Sequence, residues 1–140
     1  MLTASTPDLH LAEAYVDSDP RGRVFPAFPI NRLTGAEHTA VVYFEVEPGD
    51  YLPTHTDSAE EVLYIVAGEG EARVGDERGA VRAGDLAVIP AMVPHGIANT
   101  GDERLKVVGF FCESEIVSTF VEPVQPMGLT TLKMGEPLPA

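Results

Sequence analysis

Residues 55–61, HTDSAEE, carry the pattern on which the interpretation of this sequence rests. His55 and Asp57 are two positions apart, so a β-strand that contains both directs both side chains to the same face. Glu61 keeps the same parity at the start of the next apolar run, EEVLYIVAG. Imidazole nitrogen and carboxylate oxygen are ligands of Mn, Fe, Co, Ni and Zn in proteins. The stretch therefore indicates a metal site on the inner face of a strand.

A second cluster lies further along the chain, at residues 84–99, GDLAVIPAMVPHGIAN. The run DLAVIP is typical of a buried strand that ends at Pro90, and His95 opens the following strand, HGIAN. For His95 to join a site with His55, these two strands must lie side by side. Asn99 precedes Thr-Gly, so we expect it to hold a turn rather than to contact a ligand.

Strand-forming segments and turn residues alternate through the rest of the chain. The runs TAVVYFEV (39–46) and LKVVGFF (105–111) are rich in β-branched and aromatic residues, and 13 Gly and 12 Pro interrupt the sequence at short intervals. The pattern suggests little helix: a short one near Leu9–Tyr15 and one turn at VSTF (117–120). We expect Cys112 to be a small core residue. The alternation predicts an all-β sandwich or barrel, and 140 residues suit one domain.

The charge of the chain argues against several classes of partner. Lys and Arg number 9 against 22 Asp and Glu, which gives a net charge of −13. Nucleic acids and anionic membrane surfaces require clustered basic residues, so we expect neither as a partner. The first ten residues, MLTASTPDLH, lack the basic start and apolar run of a secretory signal, and no apolar run approaches the ~18 residues of a membrane span. These features predict a cytoplasmic protein.

Taken together, the two clusters resemble the two motifs of the cupin superfamily. The first motif corresponds to Gly49, five residues, His55, one residue, Asp57, three residues, Glu61, six residues and Gly68; the second corresponds to Gly84, five residues, Pro90, four residues, His95, three residues and Asn99. The resemblance implies a small single-domain protein of the cupin 2-like kind, an all-β jelly-roll barrel (double-stranded β-helix) around a metal. We expect the barrel core at residues 38–112, with N- and C-terminal extensions that complete the single domain 1–140.

The resemblance also implies roles for individual residues. Cupins usually bind metal through two histidines and a glutamate in the first motif and a histidine in the second, so His55, Glu61 and His95 are the expected ligands. The sequence departs from the family at Asp57, where the second histidine is usual, and at Met92, where a glycine is usual. Met92 is expected either to form an apolar wall of the pocket beside His95 or to fill a gap in the core.

Three interpretations of Asp57 remain open. In the first, Asp57 is a ligand, and two histidines and two carboxylates hold a divalent ion. In the second, Asp57 is too short to reach the ion and hydrogen-bonds a metal-bound water or a ligand histidine, so that His55, Glu61 and His95 are the ligands. In the third, no metal is bound and the residues form a polar pocket. The expected cofactor is a divalent transition metal, with Fe, Mn, Ni and Zn as candidates.

Two classes of function fit these residues. The resemblance implies a metalloenzyme of dioxygenase, isomerase, decarboxylase or lyase type that acts on a small organic molecule, with Asp57 and Glu61 as catalytic carboxylates. The alternative is a non-catalytic cupin that binds or senses a small molecule. A less favoured interpretation is an Fe(II)/2-oxoglutarate oxygenase, in which His55, Asp57 and His95 bind iron. Arg104 would then bind the co-substrate carboxylate.

A homodimer is the expected assembly. Small jelly rolls leave sheet edges exposed, and exposed edges invite association with other chains. The segments before Thr39 and after Cys112 have no other evident role in the sequence, so we expect them to cover an edge of the partner.

Overall fold

The structure, a computed structural model, describes residues 1–137 and consists mainly of β-strands. Twelve strands run through these residues: β1 (Ala14–Val16), β2 (Asp19–Ile30), β3 (Ala40–Val46), β4 (Tyr51–Asp57), β5 (Glu61–Ala67), β6 (Glu69–Val74), β7 (Glu77–Arg82), β8 (Leu86–Ile89), β9 (His95–Asn99), β10 (Leu105–Phe111), β11 (Ile116–Val124) and β12 (Leu129–Met134). Two short 3₁₀ turns lie at Thr6–Asp8 and Arg32–Thr34. Within residues 1–137, no helix has the length and apolar character needed to cross a membrane.

The strands form two antiparallel sheets that face each other. Sheet I has the order β7–β6–β9–β4–β11–β12. Sheet II has the order β8–β5–β10–β3–β2, with β1 paired to β2. One parallel contact, between Gly22 of β2 and Tyr51 of β4, joins the two sheets. Neighbouring strands are mostly distant in sequence, as in a jelly roll, and the predicted all-β jelly-roll barrel is confirmed.

Alternation along the strands places the core between the two sheets. In β5, Leu63 and Ile65 are buried while Tyr64 and Val66 are exposed, and β9 follows the same period of two. The main apolar cluster draws on both sheets and consists of Val24, Phe44, Val46, Leu63, Ile65, Ile89, Ile97, Leu105 and Val107. A smaller cluster, which Val42 links to the main one, consists of Ala40, Ala59, Phe111 and Ile116.

Two turns show why particular residues stand at the strand ends. Gly68, between β5 and β6, has a φ of 86°, and a Cβ there would lie 2.9 Å from the carbonyl oxygen of Arg104. Any larger residue would be strained at this position. The Asn99 side chain donates to the carbonyl oxygens of Val46 and Glu103, each at 2.8 Å. Asn99 therefore holds a turn, as the sequence predicts.

Both helical predictions are wrong. Residues 9–13 have no regular structure, and Tyr15 lies in β1, where it pairs with β2 and with Gln125. The stretch VSTF belongs to β11, because Ser118 and Phe120 lie opposite residues of β4. The backbone hydrogen bonds that β4 offers outweigh the local pattern.

Strand β2 has no counterpart among the predicted elements. Its sequence, DPRGRVFPAFPI, contains prolines, which cannot donate to a sheet ladder. The strand forms because it pairs with β3 through a register that shifts between Ala27 and Ile30. Cys112, predicted to lie in the core, is exposed because it stands in a bend just beyond the end of β10.

Candidate metal centre

Strands β4 and β9 place two histidines opposite each other. The buried residues of β4 alternate, so that Pro53, His55 and Asp57 lie on the inner face. Antiparallel pairing between β4 and β9 sets His55 directly opposite His95, and the centroids of the two imidazole rings are 4.3 Å apart. Strand parity and strand pairing thus bring together three of the residues that the two motifs predict.

The side chains of His55, Asp57 and His95 form a compact buried group. Asp57 Oδ2 lies 3.0 Å from His95 Nε2 and 3.4 Å from His55 Nε2. One donor atom of each residue lies within 4.8 Å of the donors of the other two. In the part of the chain that the structure describes, this is the one group of His, Cys, Asp and Glu donors with such spacing.

Glu61 approaches the same group from sheet II. It is buried at the start of β5, and its Oε1 lies 3.6 Å from His95 Nε2. Gly109, on the adjacent strand β10, leaves space for this carboxylate, because a Cβ at Gly109 would overlap Glu61 Oε2. Glu61 therefore stands beside the three-residue group, in contact with it through His95.

Backbone carbonyl groups fix the orientation of both imidazole rings. His55 Nδ1 lies 3.0 Å from the carbonyl oxygen of Pro53, and His95 Nδ1 lies 2.9 Å from that of Val93. A carbonyl oxygen only accepts hydrogen bonds, so each Nδ1 carries a proton. In the neutral form, each Nε2 then presents its lone pair to the site. Histidine ligands of metal ions are commonly held in this way.

Two buried atoms at the centre of the group lack a hydrogen-bond partner within residues 1–137: Asp57 Oδ2 and His95 Nε2. They are 3.0 Å apart but do not have the angles of a hydrogen bond. Buried polar atoms are rarely left unsatisfied, and a cation would satisfy both. Two donors bound to one ion at ~2.1 Å and about 90° to each other are about 3.0 Å apart. The residues present therefore fit a divalent metal ion.

Strand β11 supplies two contacts that the motifs do not predict. Ser118 lies opposite Asp57, and its hydroxyl donates to Asp57 Oδ1 at 2.5 Å. Phe120 lies opposite His55, and its ring stacks on the imidazole with centroids 4.6 Å apart and an interplanar angle of 17°. The alternation of Ile116, Ser118 and Phe120 is the sequence signal that would have identified this inward face.

The electrostatics of the group favour a positive charge at its centre. Burial lowers the pKa of His95, but Asp57 and Glu61 outweigh burial and raise this pKa to about 10. Burial raises the pKa of Asp57, but the two histidines outweigh it and hold this pKa well below its usual range. Burial also raises the pKa of Glu61, which stays above its ordinary value. The two carboxyl groups thus have pKa values shifted in opposite directions.

The group lies in the wall of a cavity of about 100 Å³ between the two sheets. The polar residues of the wall are His55, Asp57, Glu61, His95 and Tyr15. The rest of the wall is apolar and includes four phenylalanines, Phe28, Phe44, Phe111 and Phe120. The possible metal ligands are therefore a polar patch in an otherwise apolar cavity.

A family model described as the cupin domain matches residues 42–111, half of the chain. The protein is a cupin. The matched segment contains all four predicted ligands of this cupin, His55, Asp57, Glu61 and His95. Strands β1, β2, β11 and β12 lie outside it. Strand β11, with its contacts to the site, thus lies outside the segment that the family model matches.

Several solved structures resemble this cupin. The formate complex of oxalate decarboxylase from Lactobacillus farciminis matches with a TM-score of 0.69 and 25% identity, over 83% of this chain and 34% of that chain. A proposed sugar phosphate isomerase from Acidithiobacillus ferrooxidans matches with a TM-score of 0.65 and 21% identity, over 97% of this chain and 88% of that chain. Oxalate decarboxylase from Bacillus subtilis, which has Mn(II) centres, matches with a TM-score of 0.65 and 21% identity. The matches at 21% identity show a shared fold.

This cupin matches only part of the length of its sequence relative and of the oxalate decarboxylases. The uncharacterized protein MJ1618 from Methanocaldococcus jannaschii is 37% identical over 51 residues, which is 36% of this chain and 41% of that protein. The two oxalate decarboxylase chains are covered to 34% and 30% of their length. The cupin thus spans less than half of these relatives.

Met92 lies at the surface of this cupin, contrary to both expectations, a wall of the pocket and a filler of a gap in the core. Its side chain is 60% exposed, and the cavity wall formed by residues 1–137 does not include it. The reason is its backbone, which has a φ of 65° in the turn between β8 and β9 and directs the side chain outward. The backbone N–H of Met92 donates to the carbonyl oxygen of Asp57 at 2.8 Å, so this residue supports β4 through its main chain.

Arg104 also lies outside the cavity. Its guanidinium group donates to Glu45 Oε1 at 2.7 Å and to Glu47 Oε1 at 2.9 Å, and it lies over the ring of Phe25. The interpretation as an Fe(II)/2-oxoglutarate oxygenase assigns Arg104 to a co-substrate carboxylate. With Arg104 engaged by two glutamates, this interpretation loses its basic residue.

Proposed function

We propose that this cupin is a metal-dependent enzyme that acts on a small organic molecule bound in the cavity. The observation that carries the proposal is the convergence of donor atoms of His55, Asp57 and His95 within 4.8 Å in the wall of an apolar cavity, where Asp57 Oδ2 and His95 Nε2 lack a well-formed hydrogen bond to any described residue. A purely structural core satisfies or removes such atoms, because leaving them unpaired is unfavourable. In a metal site, such atoms act as ligands of the ion.

The ion would be held by His55, Asp57 and His95, with Glu61 beside them. Two imidazole nitrogens and a carboxylate oxygen suit Fe, Mn, Ni or Zn, and the carboxylate favours the harder ions Mn(II) and Fe(II) over copper. The Mn(II) centres of Bacillus subtilis oxalate decarboxylase, a protein of similar fold, support the same choice. When bound, such an ion supplies Lewis acidity toward an oxygen atom of the substrate.

The two carboxyl groups have different roles in this proposal. Asp57 stays ionised because its pKa lies below the usual range, and Ser118 holds the oxygen that faces away from the histidines. Glu61 retains a proton to higher pH than an ordinary glutamate, because burial raises its pKa. We assign Glu61 as the general acid–base and Asp57 as the fixed anion that binds the ion and orients His95.

A general acid–base beside a Lewis acid serves isomerisation, decarboxylation and lyase reactions, each of which moves a proton to or from carbon. Oxalate decarboxylase and the proposed sugar phosphate isomerase, whose folds resemble this one, belong to two of these classes. A dioxygenase would use the same metal ligands but give Glu61 no evident role. An isomerase, decarboxylase or lyase is therefore the favoured type.

Metal content tests the proposal. Wild-type protein purified without chelators and without a polyhistidine tag should carry close to one transition-metal ion per chain, or take up Mn, Fe, Ni or Zn at neutral pH. His55→Ala and His95→Ala should each lose the ion, because each substitution deletes a ligand. His38→Ala is the matched control, since this side chain is 89% exposed and does not line the cavity. A wild-type protein that binds none of these ions by elemental analysis refutes the proposal.

Proton exchange separates an enzyme from a cupin that only binds a small molecule. A panel of small carbon acids is incubated with metal-loaded protein in deuterated water, and deuterium uptake at carbon is followed by mass spectrometry. The enzyme should exchange at least one class of compound, and Glu61→Gln should stop the exchange while the metal stays bound. Binding without exchange in the wild type would favour the non-catalytic alternative.

A further inference from the structure

We infer that the cavity accepts an uncharged molecule about the size of one six-membered ring, with an apolar body and a single oxygen-bearing end that faces the metal ligands. The inference rests on the proposed function only in taking this cavity as the substrate site. It is carried by the chemistry of the cavity wall and by the places where the cationic side chains of the chain lie.

No lysine or arginine side chain lines the cavity within residues 1–137, a range that contains all nine Lys and Arg residues of the chain, and the two histidines of the wall must be neutral to bind a metal ion. Several of them are paired elsewhere. Arg21 and Arg23 contact the buried carboxylate of Asp50 at 3.2 and 3.3 Å, and Arg104 contacts Glu45 at 2.7 Å. An anionic group inside the cavity would therefore have the metal ion as its one cationic partner.

The carboxylates reduce the attraction of the metal group for an anion. Asp57 and, when ionised, Glu61 offset the positive charge of a divalent ion. Transfer of a carboxylate or phosphate from water into an apolar cavity is costly unless a positive partner replaces its hydration. For a dianion, the desolvation of each of its two charged groups is unfavourable. The cavity therefore selects against small organic anions, and among the three favoured types it disfavours a decarboxylase, whose substrate is a carboxylate.

The aromatic side chains limit the shape and size of the ligand. Phe28, Phe44, Phe111, Phe120 and Tyr15 line the cavity and make up half of the ten Phe and Tyr residues of the chain. Aromatic walls favour flat rings in offset-stacked or edge-to-face contact. The cavity measures about 100 Å³, against roughly 150 Å³ for an engineered cavity that binds benzene. One ring is thus the upper limit for the apolar body of the ligand.

The polar residues of the wall lie together, which restricts the ligand to one polar end. His55 and His95 are opposite each other across two strands, and both carboxylates contact His95. Away from them the wall continues into Val24, Leu63 and Ile97, members of the main apolar cluster. A second polar group on the ligand would be buried against these side chains without a hydrogen-bond partner.

A pair of probes of equal size tests the inference. Benzamide is uncharged and benzoate is anionic, and both place one polar end on a six-membered ring. Their affinities, and that of oxalate, are measured by ligand-observed NMR titration of protein whose metal content has been determined. We expect benzamide to bind at least tenfold more tightly than benzoate, and oxalate to bind more weakly than either. Equal or tighter binding of benzoate or oxalate, or no binding of benzamide at millimolar concentration, overturns the inference.

Leu132→Arg provides the complementary variant. Leu132 lines the cavity from strand β12, so an arginine there places a cation in the wall and should raise benzoate affinity about tenfold. Thr131→Arg is the control, because Thr131 is exposed on the opposite face of the strand and should leave both affinities unchanged. A protein that binds no metal but still prefers benzamide refutes the proposed function while supporting the inference. A metal-loaded protein that prefers benzoate supports the proposed function and overturns the inference.

Discussion

Asp57 has its two carboxylate oxygens in different surroundings. Oδ1 accepts the hydroxyl hydrogen bond of Ser118, and Oδ2 faces the Nε2 atoms of both histidines. Ser118 restricts rotation of the carboxylate, so that one oxygen stays directed at the imidazole rings. Under the proposed function, this contact from β11 holds an aspartate as a ligand at a position where cupins usually have the longer histidine.

Two substitutions at this pair separate a ligand from its support. Asp57→Asn replaces a charged donor with a poor neutral one and should weaken metal binding more than ~100-fold, whereas Ser118→Ala should weaken it ~10–100-fold. Thr119→Ala, at an exposed neighbour of Ser118, is the control and should have no effect. Competition with a chelator of known affinity measures all three. If Asp57→Asn binds metal within tenfold of the wild type, Asp57 is not a ligand.

The raised pKa of His95 predicts that metal binding releases a proton. With a pKa of about 10, His95 is protonated in the metal-free protein at neutral pH, yet a ligand imidazole must be neutral. The apparent metal affinity should therefore rise about tenfold per pH unit from neutral pH toward 10. Calorimetry in two buffers of different ionisation enthalpy should give one proton released per ion. Identical binding enthalpies in the two buffers would contradict this prediction.

The raised pKa of His95 also affects the metal-free fold, whose stability should fall as the pH rises. The pKa of His95 is raised above its ordinary value of 6.5, so its charged form stabilises the folded state. This contribution is fully present below the ordinary value and is lost as pH rises through about 10. A base-induced loss of stability in the wild type should be reduced in His95→Gln, as measured by urea unfolding at several pH values.

Strand β10 contributes to the site by leaving space. A Cβ at Gly109 would overlap the Glu61 carboxylate and lie 2.9 Å from Val42 Cγ1. Gly109→Ala should therefore lower the free energy of unfolding by about 1–3 kcal/mol, as overpacked cores do. Gly79→Ala on β7 is the matched control, because nothing lies within 4 Å of a Cβ there.

A double-mutant cycle identifies the cause of that loss. If the Glu61 side chain is the obstacle, Gly109→Ala should lower the free energy of unfolding less in a Glu61→Ala background than in the wild type. Urea denaturation of the four proteins gives the coupling. An equal loss in both backgrounds would show that Val42 alone resists the added methyl group.

Elements with regular alternation could be predicted from the sequence, and elements that depend on their neighbours could not. In β5 and β9 buried residues alternate with less buried ones, so the inward direction of Glu61 and His95 could be predicted. Strand β11 exists because β4 pairs with it, and that pairing cannot be read from VSTF alone. Gly109 belongs to the site through strand register, so no local pattern marks it, and the alternation that includes Ser118 does not show that β11 pairs with β4.

The outer face of sheet II is apolar across three strands. Tyr64 lies opposite Leu86, and Val62 lies opposite both Val88 and Phe110 in the neighbouring strands. Leu86 and Val88 are 69% and 59% exposed, an unusual concentration of apolar surface for a chain with a net charge of −13. The terminal segments were expected to cover a sheet edge of the partner subunit. In the structure they pair within their own chain as β1, β2, β11 and β12.

This outer face, rather than the terminal segments, leads us to expect a homodimer. Light scattering at micromolar concentration should give twice the mass of the 15.0 kDa chain. Val88→Glu on β8 should convert the dimer to monomer, because it buries a charge in the proposed contact. Val121→Glu on β11, which is 84% exposed on the other sheet, should leave the dimer intact. A wild-type protein with the mass of one chain would show that the face serves another purpose.

The jelly-roll order also determines when the ligands meet during folding. His55 and His95 belong to strands that pair only after a long stretch of chain has closed, and Ser118 reaches Asp57 across 61 positions. Folding through such distant pairings is slow, and under the proposed function we expect the ion to find its full set of donors only near the end of the process. Interactions that form after the transition state retard unfolding and leave the folding rate almost unchanged. In a cell short of metal, we therefore expect this cupin to fold at the usual rate but to unfold, and so be degraded, sooner.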